Sequence, residues 1–247
     1  MTVPASKLLL AACCWVASSV AALSGCAALE AGGQRYTTCS YGPDEAAIEV
    51  RNLDGNGQPF AYLASLARGL QKEGHTLLFA MNAGMFDENQ RPIGYYVEDG
   101  KQFKKLNRRN GSGNFHLKPN GVFYVKNGKP GVMETEAFAR SGVKPDYATQ
   151  SGPMLVINGK IHPKFSETGT SRKLRNGVGI DAAGRAYFVI SENAVTFWEF
   201  ASLFRDVLKT DNALFFDGSV SSLYAPELGR NDGFLPLGPM VGAVKIK

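Results

Sequence analysis

Three short segments constrain this chain more than anything else in it: VEDGKQF at 97–103, YVKNGKP at 124–130 and VINGKIH at 156–162. Each places Asp-Gly or Asn-Gly between strand-like flanks, and those dipeptides accept the positive φ angles of tight hairpin turns. A fourth hairpin, IDAAGRAYFVI at 180–190, carries a longer loop and sets Asp181 in a structural turn. Hairpins join antiparallel strands, so the middle of the chain reads as antiparallel sheet. The 28 glycines and 12 prolines agree with a turn-rich chain.

Two helices interrupt the strands. The first is expected over about 59–72, with Pro59 in its first turn and Phe60, Leu63, Leu66 and Leu70 on one face. The second is expected over about 197–209. Thr196 and Glu199 have capping-box spacing, and Phe197, Phe200, Leu203, Phe204 and Leu208 form an apolar stripe. A buried-looking strand follows each helix, TLLFAM (76–81) and NALFF (212–216). The pattern predicts an α+β fold: a mainly antiparallel twisted sheet with hairpins and a few helices in a single domain.

The N-terminus is a different kind of sequence. Lys7 is the only charge before Glu30, and an apolar run from Leu8 to Leu23 leads into LSGC at 23–26. A positive start, a short apolar run and small residues mark a secretory signal peptide over 1–25. LSGC also resembles the lipobox of bacterial lipoproteins, which makes Cys26 the expected lipidation site and an acyl anchor the only membrane contact. Residues 26–40 then read as a tether, and 41–247 as the folded domain. If Cys26 is not acylated, a Cys26–Cys39 bridge becomes available and staples only the N-terminal arm. Either way the expected location is outside the cytosol, in the periplasm or cell envelope.

Several chemistries are excluded. There is no GxSxG elbow, no GxxxxGK[ST] phosphate loop and no GxGxxG after a strand. His75, His116 and His162 are scattered, without metal-ligand spacing, and are expected on the surface or in turns. No metal and no cofactor is expected. A formal charge of +5 is too modest, beside an export signal, for a nucleic-acid partner.

Five segments hold more polar and glycine residues than a core requires: 81–100, 113–125, 148–163, 175–184 and 212–224. In this order they resemble the phosphodiester glycosidases, especially the bacterial branch of that family, over about 36–247. The lysosomal member removes N-acetylglucosamine from a phosphodiester on mannose. The parts shared with that animal enzyme are NAG-x-F at Asn82–Phe86, Gly94, Ser151–Gly152, the Arg175 segment, Trp198–Glu199 and DG-x-x-S at Asp217–Ser221. One departure stands out: where the animal enzyme has DGGGS, this chain has DGSVS, so Ser219 and Val220 add side chains beside the pocket.

The resemblance implies an exported hydrolase that cleaves sugar-1-phosphate diesters of phosphorylated glycans into free sugar and phosphomonoester. The alternative is a non-catalytic envelope lipoprotein that binds anionic polysaccharide. The implied catalytic residues are Asp217, Arg175 and Asn82. Asp217 acts on the oxocarbenium ion or on water, with an Asx turn as its competing role. A guanidinium at Arg175 matches the phosphate oxygens. Gly84, Phe86, Ser151, Gly218 and Ser221 are the implied substrate contacts, with Phe86 and Tyr95 available either for sugar stacking or for core packing, and Glu98, before Asp99-Gly100 at a hairpin tip, is either a second carboxylate at the substrate or a solvated surface charge. Lys101, Lys104, Lys105, Arg108 and Arg109 form a basic run, either a solvated face or an attractant for anionic glycans.

Overall fold

The structure, a computed structural model, describes residues 24–246. All but the last two residues of the expected leader over 1–25 lie outside the described residues. In chain order the elements are β1 (Gly25–Ala31), β2 (Gln34–Tyr41), β3 (Ala47–Arg51), α1 (Leu63–Lys72), β4 (Leu77–Asn82), β5 (Tyr96–Glu98), β6 (Lys101–Lys104), β7 (Gly121–Lys126) and β8 (Lys129–Glu134). They continue with α2 (Thr135–Ser141), β9 (Tyr147–Ser151), β10 (Met154–Ile157), β11 (Lys160–Ile161), β12 (Asn176–Asp181), β13 (Ala186–Ser191) and α3 (Phe197–Ser202). The last strands are β14 (Thr210–Phe215), β15 (Leu223–Ala225), β16 (Arg230–Asn231) and β17 (Met240–Val244).

These strands form three sheets, in the orders β1-β2-β13-β12-β14-β10-β11, β16-β15-β4-β17-β3 and β6-β5-β9-β7-β8. All paired neighbours are antiparallel, so the fold is α+β in one domain, as expected. The three tight hairpins are present. Asp99-Gly100, Asn127-Gly128 and Asn158-Gly159 each hold two consecutive positive φ angles, the geometry whose twist matches the strands it joins.

The sheets share one core. Phe79 of β4, Phe188 of β13 and Phe123 of β7 come one from each sheet. Their ring centroids lie 5.0 Å (Phe79–Phe188) and 5.8 Å (Phe123–Phe188) apart. Phe216, just beyond β14, closes the cluster 6.2 Å from Phe123. Fully buried rings of this size dominate the burial energy of a core.

Three loops repeat one device. Asp54, Asp87 and Asp181 each accept, through Oδ1, the N–H groups two and four residues ahead. In each the aspartate N–H donates to the carbonyl four residues on, at 2.7, 2.9 and 3.1 Å. The fourth residue of each loop has positive φ: Gly57, Gln90 and Gly184. Asp181 is therefore structural, as its turn sequence suggests.

Three expectations need correction. The first helix starts at Leu63, not Pro59, because Ala61 has φ +61° and bridges Leu237, while Pro59 bridges Leu53. The tether over 26–40 is instead the β1–β2 hairpin, and β2 is paired to β13 inside the first sheet. Five of the eight β2 residues are buried, Thr37 and Ser40 among them beside Tyr36, Cys39 and Tyr41, which the polar composition of the segment conceals. Cys26, the expected lipidation site, lies opposite Cys39 and is disulfide-bonded to it. A sulfur committed to that bond has no valence left for a lipid thioether. Among the described residues no helix is long and apolar enough to cross a membrane.

The bridge closes a sequence separation of 13 residues. Reduction, or Cys39→Ala, is expected to lower the unfolding free energy by about 3 kcal/mol. Denaturant unfolding with and without a thiol reductant measures the difference.

Candidate active site

The candidate site is built around the two residues that follow β14. Phe216 and Asp217 continue the strand in extended conformation, with Asp217 at φ −154° and ψ 106°. Side chains from all three sheets grip this segment. Ser151 of β9 donates its hydroxyl to the Phe216 carbonyl at 2.7 Å. Asn176 of β12 accepts the Asp217 N–H through Oδ1 at 3.1 Å, while its own carbonyl accepts the Phe216 N–H at 3.0 Å. Asn82 of β4 donates to the Asp217 carbonyl at 2.9 Å. The two asparagines are joined, Asn176 Nδ2 to Asn82 Oδ1 at 2.9 Å, and Asn82 Oδ1 also accepts the Ser222 N–H at 3.0 Å.

Ser151, Asn176 and Asn82 are each 0% exposed. Asn82 and Ser151, expected to touch substrate, are thus positioning residues, because their polar atoms are turned onto the backbone of the Asp217 segment. Asn176 carries equal weight but does not stand out from its neighbours Arg175 and Gly177 in the sequence. Only its Oδ1, aimed at one particular N–H, distinguishes it.

The Asp217 carboxyl is partly buried. Its Oδ1 accepts the Ser219 N–H at 3.0 Å, so the Asx turn does form, and it fixes the carboxyl without capturing it in an ion pair. Burial raises its pKa above the ordinary aspartate value, against the opposing pull of the Ser219 backbone and hydroxyl. Ser219, one of the two departures in DGSVS, therefore acts directly on this carboxyl.

Arg175 stands opposite. In the β12–β14 ladder Gly177 pairs with Phe215 and Val178 with Leu214. Carried past the strand ends, that register sets Arg175 across from Asp217 and Leu174 across from Gly218. The Phe216–Asn176 bond confirms that it continues. So does the close approach at Gly218, where a Cβ would lie 2.2 Å from the Leu174 carbonyl oxygen. Residues opposed in an antiparallel ladder lie about 4.5–5.5 Å apart at Cα and share a face.

The guanidinium is buried and makes no ion pair among the described residues, with the Glu199 carboxylate acting on it only from a distance. Among the described residues no carboxylate lies within 4.0 Å of it. Nε donates to the Val195 carbonyl at 2.9 Å and Nη2 to the Ser171 carbonyl at 3.1 Å. Nη1 has no hydrogen-bond partner among the described residues. The Cζ sits 3.5 Å over the centre of the Phe197 ring, a desolvated cation–π contact worth about 2 kcal/mol or more. Phe197 stacks on Phe165 at 4.7 Å and 4°, and Phe165 on His162 at 4.7 Å. Burial pushes Arg175 down to about 10, so it remains a cation at neutral pH.

His162, expected in a turn or on the surface, ends this stack at 1% exposure. Its Nδ1 accepts the Lys164 N–H at 3.2 Å, and burial pushes its pKa down to about 4.

The other expected contacts divide. Ser221 caps the turn by donating to the Gly218 carbonyl at 3.2 Å. Gly84, at φ +122°, lies where a Cβ would meet Thr149 Oγ1 at 2.6 Å, so it serves backbone packing. Phe86 lies against Gly238, and Tyr95 against Phe138. Glu98 is not in the site. The β5–β9 register carries it to the level of Tyr147, four residues and about 13 Å along β9 from Ser151. It is buried at 7% exposure rather than solvated at a hairpin tip.

Comparison with known proteins places the chain in a family and a fold. The sequence profile of the phosphodiester glycosidase family matches residues 75–234. An uncharacterised Escherichia coli protein, YigE, is 37% identical over 191 residues, which is 77% of this chain and 73% of that protein. Among solved structures, the catalytic domain of zebrafish N-acetylglucosamine-1-phosphodiester α-N-acetylglucosaminidase, auto-inhibited by its pro-peptide, superposes with TM-score 0.59 at 15% identity, over 90% of this chain and 82% of that one. A putative exported protein of Burkholderia pseudomallei gives 0.57 at 10% identity, over 85% and 74%. At these identities the two structures show the shared fold.

Two outcomes follow from the geometry. Gly218→Ala forces its methyl group against the Leu174 carbonyl, and is expected to cost about 1–3 kcal/mol, measured by denaturant unfolding. His162 binds its proton less readily folded than unfolded, so its contribution to stability is complete above pH 6.5 and is lost as pH falls toward 4. The full difference is about 3 kcal/mol. In His162→Phe, the decline in unfolding free energy between pH 6.5 and 4 is expected to be shallower than in the parent.

Proposed function

The chain belongs to the phosphodiester glycosidase family, and from that premise we propose that it hydrolyses glycosyl phosphodiesters to free sugar and phosphomonoester. One observation carries the reading: the β12–β14 register sets Arg175, a buried cation without an ion pair among the described residues, across from Asp217, whose carboxyl is partly buried and likewise outside any ion pair.

A phosphodiester bears one negative charge, and the Nη1 end of Arg175 is free to meet it. As the sugar–oxygen bond breaks, the electron pair leaves with a phosphate monoester, a far weaker base than a sugar alkoxide. Arg175 stabilises that departing charge, which lessens the need for a general acid. The Asp217 carboxylate faces the oxocarbenium-like carbon, to stabilise it, attack it or activate the water that supplies the new hydroxyl. Ser151, Asn176 and Asn82 hold Asp217 in place through neutral hydrogen bonds that do not compensate its charge.

Export is part of the proposal. The leader-like residues 1–25 and the Cys26–Cys39 disulfide both suit an oxidising compartment such as the periplasm or cell envelope. Phosphorylated glycans of the envelope or the surroundings are then the accessible substrates.

The test is a panel of sugar-1-phosphodiesters, with sugar and phosphomonoester release followed together. Equal release of both is expected. Asp217→Asn should lower kcat/KM by about 100-fold or more, and Arg175→Met should do the same on the diester. Because the Asp217 pKa is raised, activity that needs its carboxylate should fall on the acid side at a higher pH than an ordinary aspartate would give. A folded Asp217→Asn protein with full activity would falsify the assignment. Binding without turnover would identify a polysaccharide-binding protein instead.

A further inference from the structure

A cleft of about 640 Å³ lies apart from the strand ends that carry Arg175 and Asp217, and its lining includes neither residue. Its size falls within the range of small-ligand sites, about 300–1,000 Å³. Two of the aspartate-clamped loops, 53–59 and 86–92, contribute to its walls. Their internal hydrogen bonds make those walls rigid before any ligand arrives.

Asn52 stands in the wall and is 2% exposed. Its backbone is satisfied: the N–H donates to Glu98 Oε2 at 3.1 Å, and the carbonyl accepts the Phe60 N–H at 2.9 Å. Its carboxamide makes no hydrogen bond to any described residue, and Oδ1 is sealed without a donor. Buried polar groups are almost always hydrogen-bonded, so an unsatisfied carboxamide beside a cleft points to a missing partner.

Glu98 gains a role here. It anchors the floor by accepting both the Asn52 N–H and the hydroxyl of Tyr96, which also lines the cleft, at 2.6 Å. Phe103, on the edge strand β6, leaves 45% of its surface exposed in the same cleft. Lys104 follows it in the lining, and Lys101 Nζ lies 5.0 Å from the Phe103 ring centre. These lysines begin the basic run that the candidate active site does not use.

We propose that this cleft is a second, non-catalytic binding site for an anionic oligosaccharide. The exposed ring of Phe103 receives the C–H face of a pyranose, as amphipathic aromatic surfaces do. The Asn52 carboxamide, whose Nδ2 is not among the sealed atoms, donates to a sugar hydroxyl or acetamido oxygen, and a rotation of the amide offers its Oδ1 in turn. Lys104 and Arg91 in the lining, set against the single lining carboxylate Glu88, select a negatively charged chain. On a polymeric substrate the cleft holds a stretch of glycan remote from the diester that is cut. The ligand class rests on the reading of this chain as a glycan-acting protein, whereas the site itself rests on its own geometry.

The test begins with the mature protein on an array of neutral, sulfated and phosphorylated oligosaccharides. The tightest array ligand is then titrated calorimetrically onto the parent, Phe103→Ala, Asn52→Leu and Asp217→Asn. Binding is expected to weaken about tenfold or more in each cleft variant and to persist in Asp217→Asn. Asn52→Leu should unfold no earlier than the parent, since its carboxamide has no hydrogen bond to lose. That separates lost binding from lost folding.

The proposal is overturned if no oligosaccharide binds. Binding indifferent to both cleft variants also overturns it, as does binding abolished by Asp217→Asn. Cleft binding without hydrolysis would sink the catalytic reading and leave this one standing.

Discussion

The arrangement depends on three neutral side chains closing around one short stretch of backbone. Ser151, Asn176 and Asn82 belong to three different sheets, yet all bond to Phe216 or Asp217. The Asp217 carboxyl is therefore located only when the sheets are assembled. Its position is stiff because moving it breaks several buried hydrogen bonds, and leaving one such group unsatisfied costs about 1–3 kcal/mol. Neutral groups suit the task. They hold the segment without adding charge beside the carboxyl, and they do not titrate near neutral pH.

The treatment of Arg175 follows a different logic from that of the other partly buried arginines. Arg51 pairs with Glu49 and Asp99, each at 2.8 Å, and Arg230 with Asp232 at 2.9 Å. Those cations are neutralised where they stand. Arg175 instead lies on the Phe197 ring and donates to two backbone carbonyls, which compensate its desolvation without cancelling its charge. A carboxylate partner would stabilise the cation and also occupy it. A ring and two carbonyls leave the positive field for an anion that arrives later.

Much of the fold is legible in local sequence because its causes are local. Asn-Gly and Asp-Gly select their turn through the φ angles they tolerate, and the three hairpins that carry them form where those residues stand. The Thr196–Glu199 capping box forms with both of its bonds. Local rules fail where a distant partner outbids them. Pro59 has the credentials of a helix start, but pairing with Leu53 and Leu237 takes its segment away. Residues 26–40 look small and polar, but a sheet edge and a disulfide order them.

Within the candidate site, the resemblance to the family marked Asp217 and Arg175, since residue type alone suits Asp217 equally to the Asx turn that it does form. It did not reveal which polar residues touch substrate. Asn82 and Ser151 face inward, and Asn176 faces the same segment, because sheets distant in sequence converge there. Glu98 carries the same carboxyl chemistry as Asp217, yet the β5–β9 register moves it away, to a buried place behind Asn52 and Tyr96. Sequence alone determined most of the strands and the tight turns, because backbone torsions are properties of a residue and its neighbours, and its resemblance to a family proposed the charged pair. Tertiary structure decided which groups come together, because cross-strand register and burial are set by residues far apart in sequence, as Asn82 and Asp217 are at 135 positions.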